Sequence, residues 1–222
     1  MKELDIYIAI EGPIGVGKTS LATLVADKLN ARKVFEKFEE NPFLKDFYDD
    51  PESNAFQTQI FFLLQRYQQQ QKDIRQLNLL QKGVVTDYMF EKDRLFADFT
   101  LNSEAEFKLY SHVADILEKD IVKPDLVVYL QADTPRLMKN IKKRGRDFEK
   151  HVTQDYINQV NERYQEFFVN YEAGPLLIIN TNNIDFVENS DLNVMFIWRS
   201  LMGLWGRGGH SWDFGECGMS GL

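Results

Sequence analysis

The run Gly12-Pro13-Ile14-Gly15-Val16-Gly17-Lys18-Thr19 constrains this chain more than any other part of it. It satisfies G-x-x-x-x-G-K-[ST] in the setting that gives the pattern meaning. An apolar run over residues 6–10 leads in, and a helical stripe of Leu21, Leu24, Val25, Ala26 and Leu29 leads out. In such a strand–loop–helix unit, glycines let backbone N–H groups turn toward a phosphate where side chains would block the approach. The helix N-terminus adds its partial positive charge. The spacing assigns Lys18 to the β- and γ-phosphate oxygens of a nucleoside triphosphate and the Thr19 hydroxyl to Mg²⁺. The motif specifies triphosphate binding and leaves the reaction open.

Four further short runs, at residues 33–35, 83–86, 126–130 and 176–179, are rich in Val and Ile, and several are apolar without alternation. That pattern predicts strands covered on both faces. Helical periods lie between them: Phe61, Leu64, Tyr67 and Gln68 on one helix, and Phe107, Val113, Ile116 and Leu117 within 104–119. Strands alternating with helices predict an α/β fold, a five-stranded parallel sheet with helices on both faces. One sequence leaves the strand order open. Residues 203–222 hold seven of the thirteen glycines with little periodicity, which predicts a tail outside a folded domain at 1–202, disordered or foreign to the natural protein.

A formal net charge of −8 argues against a nucleic-acid polymer as partner, while a small anionic ligand can still bind a local positive site. Cys217 is the only cysteine, so neither an intrachain disulfide nor a cysteine metal site is expected. His112, His151 and His210 lack metal-ligand spacing. Apolar runs such as Ile60-Phe61-Phe62-Leu63-Leu64 are too short to span a bilayer, and Asp5 before the first apolar run does not suit a signal peptide. A cytoplasmic enzyme is the expectation.

Two clusters complete the reading of the residues. Asp87 follows the 83–86 run, at the strand edge where open α/β sheets bind ligands, and can hold Mg²⁺ directly or through water. It also suits the N-cap of a helix over 89–97, and the two readings are compatible. Lys139, Lys142, Lys143, Arg144 and Arg146 fall within eight residues, on a helix beginning near Pro135 and broken at Gly145. A mobile Arg-rich lid at about 142–150 would bring cations over a transferred phosphoryl group. The alternative is a solvated helix end that favours the dipole.

These residues together resemble a family. Ile10-Glu11-Gly12 with the loop, Phe56-Gln57-Thr58, Asp87 six residues before Asp93, and Lys143-Arg144-Gly145-Arg146 are similar to the deoxynucleoside kinases, over roughly residues 4–200. Glu39-Glu40-Asn41-Pro42-Phe43 resembles the bacterial members that act on deoxyadenosine and deoxyguanosine. The resemblance implies a P-loop kinase fold, usually homodimeric, that uses ATP and Mg²⁺ to phosphorylate a deoxynucleoside 5′-hydroxyl. It implies Glu36 as general base, with Lys18, Arg144 and Arg146 on the phosphoryl group. The family often has Glu-Pro-Val where this chain has Glu36-Lys37-Phe38, so Glu39 is an alternative base. It implies Gln57 on the nucleobase, Asp93 beside it, and Phe56, Phe61 and Phe90 around the ring. Tyr48 and Glu149 fall at the sugar 3′-hydroxyl, and Asn182, Asp185 and Phe186 near the adenine of ATP. Many members carry an arginine directly after Asp87 and another one turn into the Gln57 helix; here these are Tyr88 and Leu64, with Arg94 or Arg66 as substitutes. Two alternatives stay open: a thymidylate-type monophosphate kinase, with Arg94 on the acceptor's phosphate, and a retired nucleotide-binding subunit.

Overall fold

Every side chain of Ile6–Glu11 is buried, so this strand needs a covered surface on each side. In the computed structural model, which describes residues 6–75 and 83–186, it is the centre of a five-stranded sheet. Strands β1 (Ile6–Glu11), β2 (Arg32–Val34), β3 (Gly83–Thr86), β4 (Leu126–Gln131) and β5 (Leu176–Asn180) lie in the order β2-β3-β1-β4-β5. All four neighbouring pairs are parallel. This is the expected α/β, P-loop kinase fold. The expected tail at 203–222 and the end of the 1–202 domain lie outside the described residues.

The described helices are α1 (Lys18–Leu29), α2 (Leu44–Asp49), α3 (Pro51–Gln69), α4 (Lys92–Thr100), α5 (Glu104–Leu117), α6 (Thr134–Arg144) and α7 (Gln154–Val169). Several starts are written locally. Asp50, Ser103, Asp133 and Thr153 each accept a backbone N–H three residues on, capping α3, α5, α6 and α7, and proline opens α3 and α6. Because β1 alternates, Ile6, Ile8 and Ile10 pack with α1 and α6, while Tyr7 and Ala9 pack with Val160, Tyr164 and Phe168 of α7. A third cluster joins α2, α3, α4 and α5 beside the sheet.

Two expectations are corrected. The helix expected at 89–97 begins at Lys92, so Asp87 caps no helix and residues 87–91 form the loop beyond β3. On α3 the expected stripe through Leu64 is out of phase: Leu64 is 42% exposed, and the buried face carries Gln59, Leu63 and Arg66. Polar side chains here face inward because they line a site, and an apolar-periodicity argument cannot find such a face.

Candidate active site

The loop between β1 and α1 is shaped by contacts that admit no side chain at two of its glycines. A Cβ on Gly12 would stand 2.5 Å from the Leu130 carbonyl oxygen of β4. Gly15 has φ +84°, and a Cβ there would meet the Leu137 carbonyl oxygen and Ile141 Cγ1 of α6, each at 2.8 Å. Asn140 Nδ2 of α6 also donates to Gly15 O at 2.8 Å, so loop and lid helix are tied together. Gly15→Ala is expected to cost ~1–3 kcal/mol of stability, read as a lowered Tm, and to weaken ATP binding.

Lys18 Nζ donates to the carbonyl oxygens of Gly12 (2.6 Å) and Pro13 (3.2 Å), and burial brings its pKa down to about 8. Thr19 Oγ1 donates to Asp87 Oδ2 at 2.5 Å. Asp87 Oδ1 accepts the backbone N–H of Glu36 at 2.7 Å. Burial raises the Asp87 pKa, against the hydrogen bond from Thr19. A half-compensated carboxylate beside a hydroxyl is a donor set of hard oxygens, and it fits Mg²⁺, which takes one or two protein oxygens and fills its octahedron with phosphate and water. Among the described residues no cluster of three or more His, Cys, Asp or Glu could hold a metal ion, in keeping with so sparse a site.

Glu36 follows β2 and points into the cleft. Arg66 Nη2 donates to its Oε1, and Lys92 Nζ to its Oε2 at 2.8 Å. Burial by itself would raise its pKa; Arg66 and Lys92 outweigh that and hold it well below the usual carboxylate range. Arg66 is 4% exposed and pairs through Nη1 with Asp93, which is buried at the start of α4. The alternative base, Glu39, is exposed on the turn Phe38–Glu40 and does not line the cleft. The sequence reading missed Lys92, and it named Arg66 only as an alternative to Arg94.

The cleft, about 880 Å³ with its open mouth, presents Phe38, Leu44, Phe47, Phe62 and Phe96 together with polar groups from α3, α4 and the lid. Tyr48, Asp87, Asp93 and Glu149 line it. Gln57 does not: its amide turns along the helix to Ser53 O and Asn54 Oδ1, and Gln59, two residues on, lines the cleft in its place. Two residues are about 200° of helix, enough to turn one side chain in and the other out. The signal was there in Gln59, Leu63 and Arg66, which share one face at i, i+4 and i+7. Of the three expected ring neighbours, Phe56, Phe61 and Phe90 pack elsewhere, and Phe62 and Phe96 take the wall positions. Arg94 also lies elsewhere, paired with Asp115 and Glu118 of the α5 end.

Arg144 closes α6 and grips Glu149 through Nε and Nη2, while Arg146 lies 4.0 Å over the Phe38 ring. Gly145 between them has φ +66° and ends the helix. A second cavity, about 1060 Å³, opens on the other side of the loop and is lined by Val16, Gly17, Lys143, Asp185 and Phe186. Asp185 faces Arg136 and Lys143, and the Phe186 ring lies over Gly17. Asn182 accepts from the Asp133 N–H and lines an outer extension of this side. Gly15, Lys18, Thr19, Arg144 and Arg146 belong to both cavities, so the two meet at the phosphate loop and the lid.

A cleft meeting a loop-side cavity at a phosphate-binding loop is the arrangement of a phosphotransferase, and a family comparison decides which. Residues 8–201 match the family model described as deoxynucleoside kinase. The chain belongs to the deoxynucleoside kinase family. It is 38% identical over 189 residues to a deoxyguanosine kinase of Bacillus subtilis, covering 82% of this chain and 90% of that one. It is 32% identical over 195 residues to a deoxyadenosine kinase of Lactobacillus acidophilus, covering 82% and 88%. Among solved structures it is similar to the deoxyadenosine kinase of M. mycoides with bound dATP, at TM-score 0.75 and 25% identity over 89% of this chain and all of that one. As a deoxynucleoside kinase the chain is an enzyme, a phosphotransferase that phosphorylates a deoxynucleoside at the expense of ATP. The reading as a retired subunit is thereby set aside, and the monophosphate kinase reading is not favoured.

Proposed function

We propose that this kinase transfers the γ-phosphoryl group of ATP to the 5′-hydroxyl of a purine deoxynucleoside, with Glu36 as the general base. The observation that carries the reading is the meeting of the two cavities at Gly15, Lys18, Thr19, Arg144 and Arg146. The donor occupies the loop side, with Asp185 and Phe186 toward its base, and the nucleoside lies in the aromatic cleft. Thr19 and Asp87 are the residues that would hold Mg²⁺, whose chemistry there is to neutralise charge on the β- and γ-phosphates. As the 5′-oxygen bonds to the γ-phosphorus, the bond from that phosphorus to the β,γ-bridging oxygen breaks. The hydroxyl proton passes to Glu36, and ADP leaves. Lys18, Arg144 and Arg146 face the charge that spreads over the phosphoryl oxygens.

Gln59, with the Arg66–Asp93 pair behind it, supports base recognition, because an amide offers a donor and an acceptor to one ring edge. Tyr48 and Glu149 are read as the 3′-hydroxyl contacts. The purine preference rests on relatives named deoxyguanosine and deoxyadenosine kinase. Gln59→Ala is expected to raise the nucleoside KM ~10-fold, two hydrogen bonds at ~0.5–1.5 kcal/mol each. Gln57→Ala should leave it unchanged.

The assay is monophosphate formation from Mg-ATP with each of the four deoxynucleosides, and separately with their monophosphates as acceptors. Turnover of deoxyguanosine or deoxyadenosine is expected. Turnover of monophosphates alone would overturn the acceptor, and pyrimidine-only turnover would overturn the base preference. The assembly is read as a homodimer: Leu109 and Ile116, 54% and 53% exposed and two turns apart on α5, offer an apolar face. Light scattering of Leu109→Asp against wild type tests this, with monomer expected for the variant. No helix among the described residues is long and apolar enough to cross a membrane. The cytoplasm is the proposed location, where ATP is supplied.

A further inference from the structure

We propose that Lys92 is a positioning residue for phosphoryl transfer, a second cation that holds the Glu36 carboxylate aimed into the cleft; the inference rests on the reading of Glu36 as base. Arg66 is divided, one terminal nitrogen to Glu36 and the other to Asp93. Lys92 is not divided. Among the described residues its one ionic partner is Glu36, at 2.8 Å. The root of the same side chain is held as well, since the Glu36 N–H donates to Asp87. A glutamate has three soft torsions, and a base must keep one oxygen lone pair on the line of the incoming hydroxyl. Tied at its backbone and at both oxygens, this glutamate has little freedom left to lose when substrate arrives.

The placement of Lys92 points the same way because stability alone would not choose it. Lys92 is 5% exposed, and lysine is rarely buried to that degree unless paired. Lys92 is also the first residue of α4, where the helix dipole disfavours a cation. Its ammonium holds Oε2 through one N–H and leaves that oxygen's other lone pair free for the hydroxyl.

The test is a cycle of steady-state measurements on the full chain with Mg-ATP and a purine deoxynucleoside, comparing wild type, K92M, K92R, E36Q and E36Q/K92M. K92M is expected to lower kcat ~10- to 100-fold with both KM values within about threefold, and K92R to return kcat to within about fivefold of wild type. On the E36Q background, K92M should cost no more than about twofold further, because groups that act as one unit are not additive. An unchanged kcat in K92M, or losses in K92M and E36Q that multiply, overturns the proposal. Circular dichroism identifies any loss of fold, and K92Q, which keeps a donor without the charge, replaces K92M if that variant melts below the assay temperature. If E36Q itself keeps full turnover, the base assignment fails and this role falls with it. E36Q loss with a neutral K92M rejects Lys92 alone.

Discussion

Glu36→Gln is expected to lower kcat by ~10²- to 10⁴-fold while the KM for ATP stays near wild type. The amide cannot take the hydroxyl proton, and its NH₂ would face the donors of Arg66 or Lys92 where a carboxylate oxygen now accepts. Because the donor cavity does not include Glu36, ATP binding should be spared. The control is Glu39→Gln, whose exposed side chain predicts activity within about twofold of wild type. Loss of turnover in the Glu39 variant with an active Glu36 variant would reverse the assignment.

Arg66→Met should be the most destabilising single change in the cleft. It removes the guanidinium shared by Glu36 and Asp93, leaving the buried Asp93 without its counter-ion. Breaking a buried pair by removing one partner costs ~3–5 kcal/mol, a fall in Tm of roughly 6–20 °C for a domain of this size. Thermal melting of Arg66→Met beside Arg66→Met/Asp93→Asn checks the mechanism, since neutralising the orphaned acid should restore part of the loss. A Tm unchanged in the single variant would show that the pair contributes nothing net.

The same cluster sets an acid limit on stability. The folded pKa of Glu36 lies below its ordinary 4.5, so the unfolded chain takes up protons first as the pH falls. Its contribution is complete above about pH 5 and is lost progressively below 4.5, toward the folded value. In Arg66→Met that part of the acid dependence should shrink, which urea melts at pH 7 and pH 4 would measure.

How much of this was legible follows from how far apart the interacting groups are in the chain. The phosphate loop is eight consecutive residues whose backbone geometry is set by glycines at fixed offsets, so Lys18 and Thr19 could be placed in it from the sequence. The strands were legible because burial on both faces leaves continuous apolar runs, and the helix starts because their caps are three residues from their partners. Asp87 and the paired arginines were visible as residue types at strand and helix ends. What depended on phase was not. Gln57 and Gln59 are equivalent in composition, and only the packing of α3, with Arg66 reaching Glu36 thirty residues away and Asp93 beyond it, decides which amide enters the cleft. Leu64 lies outside and polar residues lie inside because the site, and not the core, occupies that face.

The sequence by itself determined a parallel α/β sheet, a triphosphate loop, and the residue types that a kinase needs. The tertiary structure decided the strand order, which glutamine lines the cleft, that Glu36 and not Glu39 enters it, and that two cations hold Glu36. The physical reason is range: caps and loops are fixed by neighbours a few residues apart, whereas the Lys92–Glu36 pair spans 56 residues and exists only once α4 is docked against the end of β2.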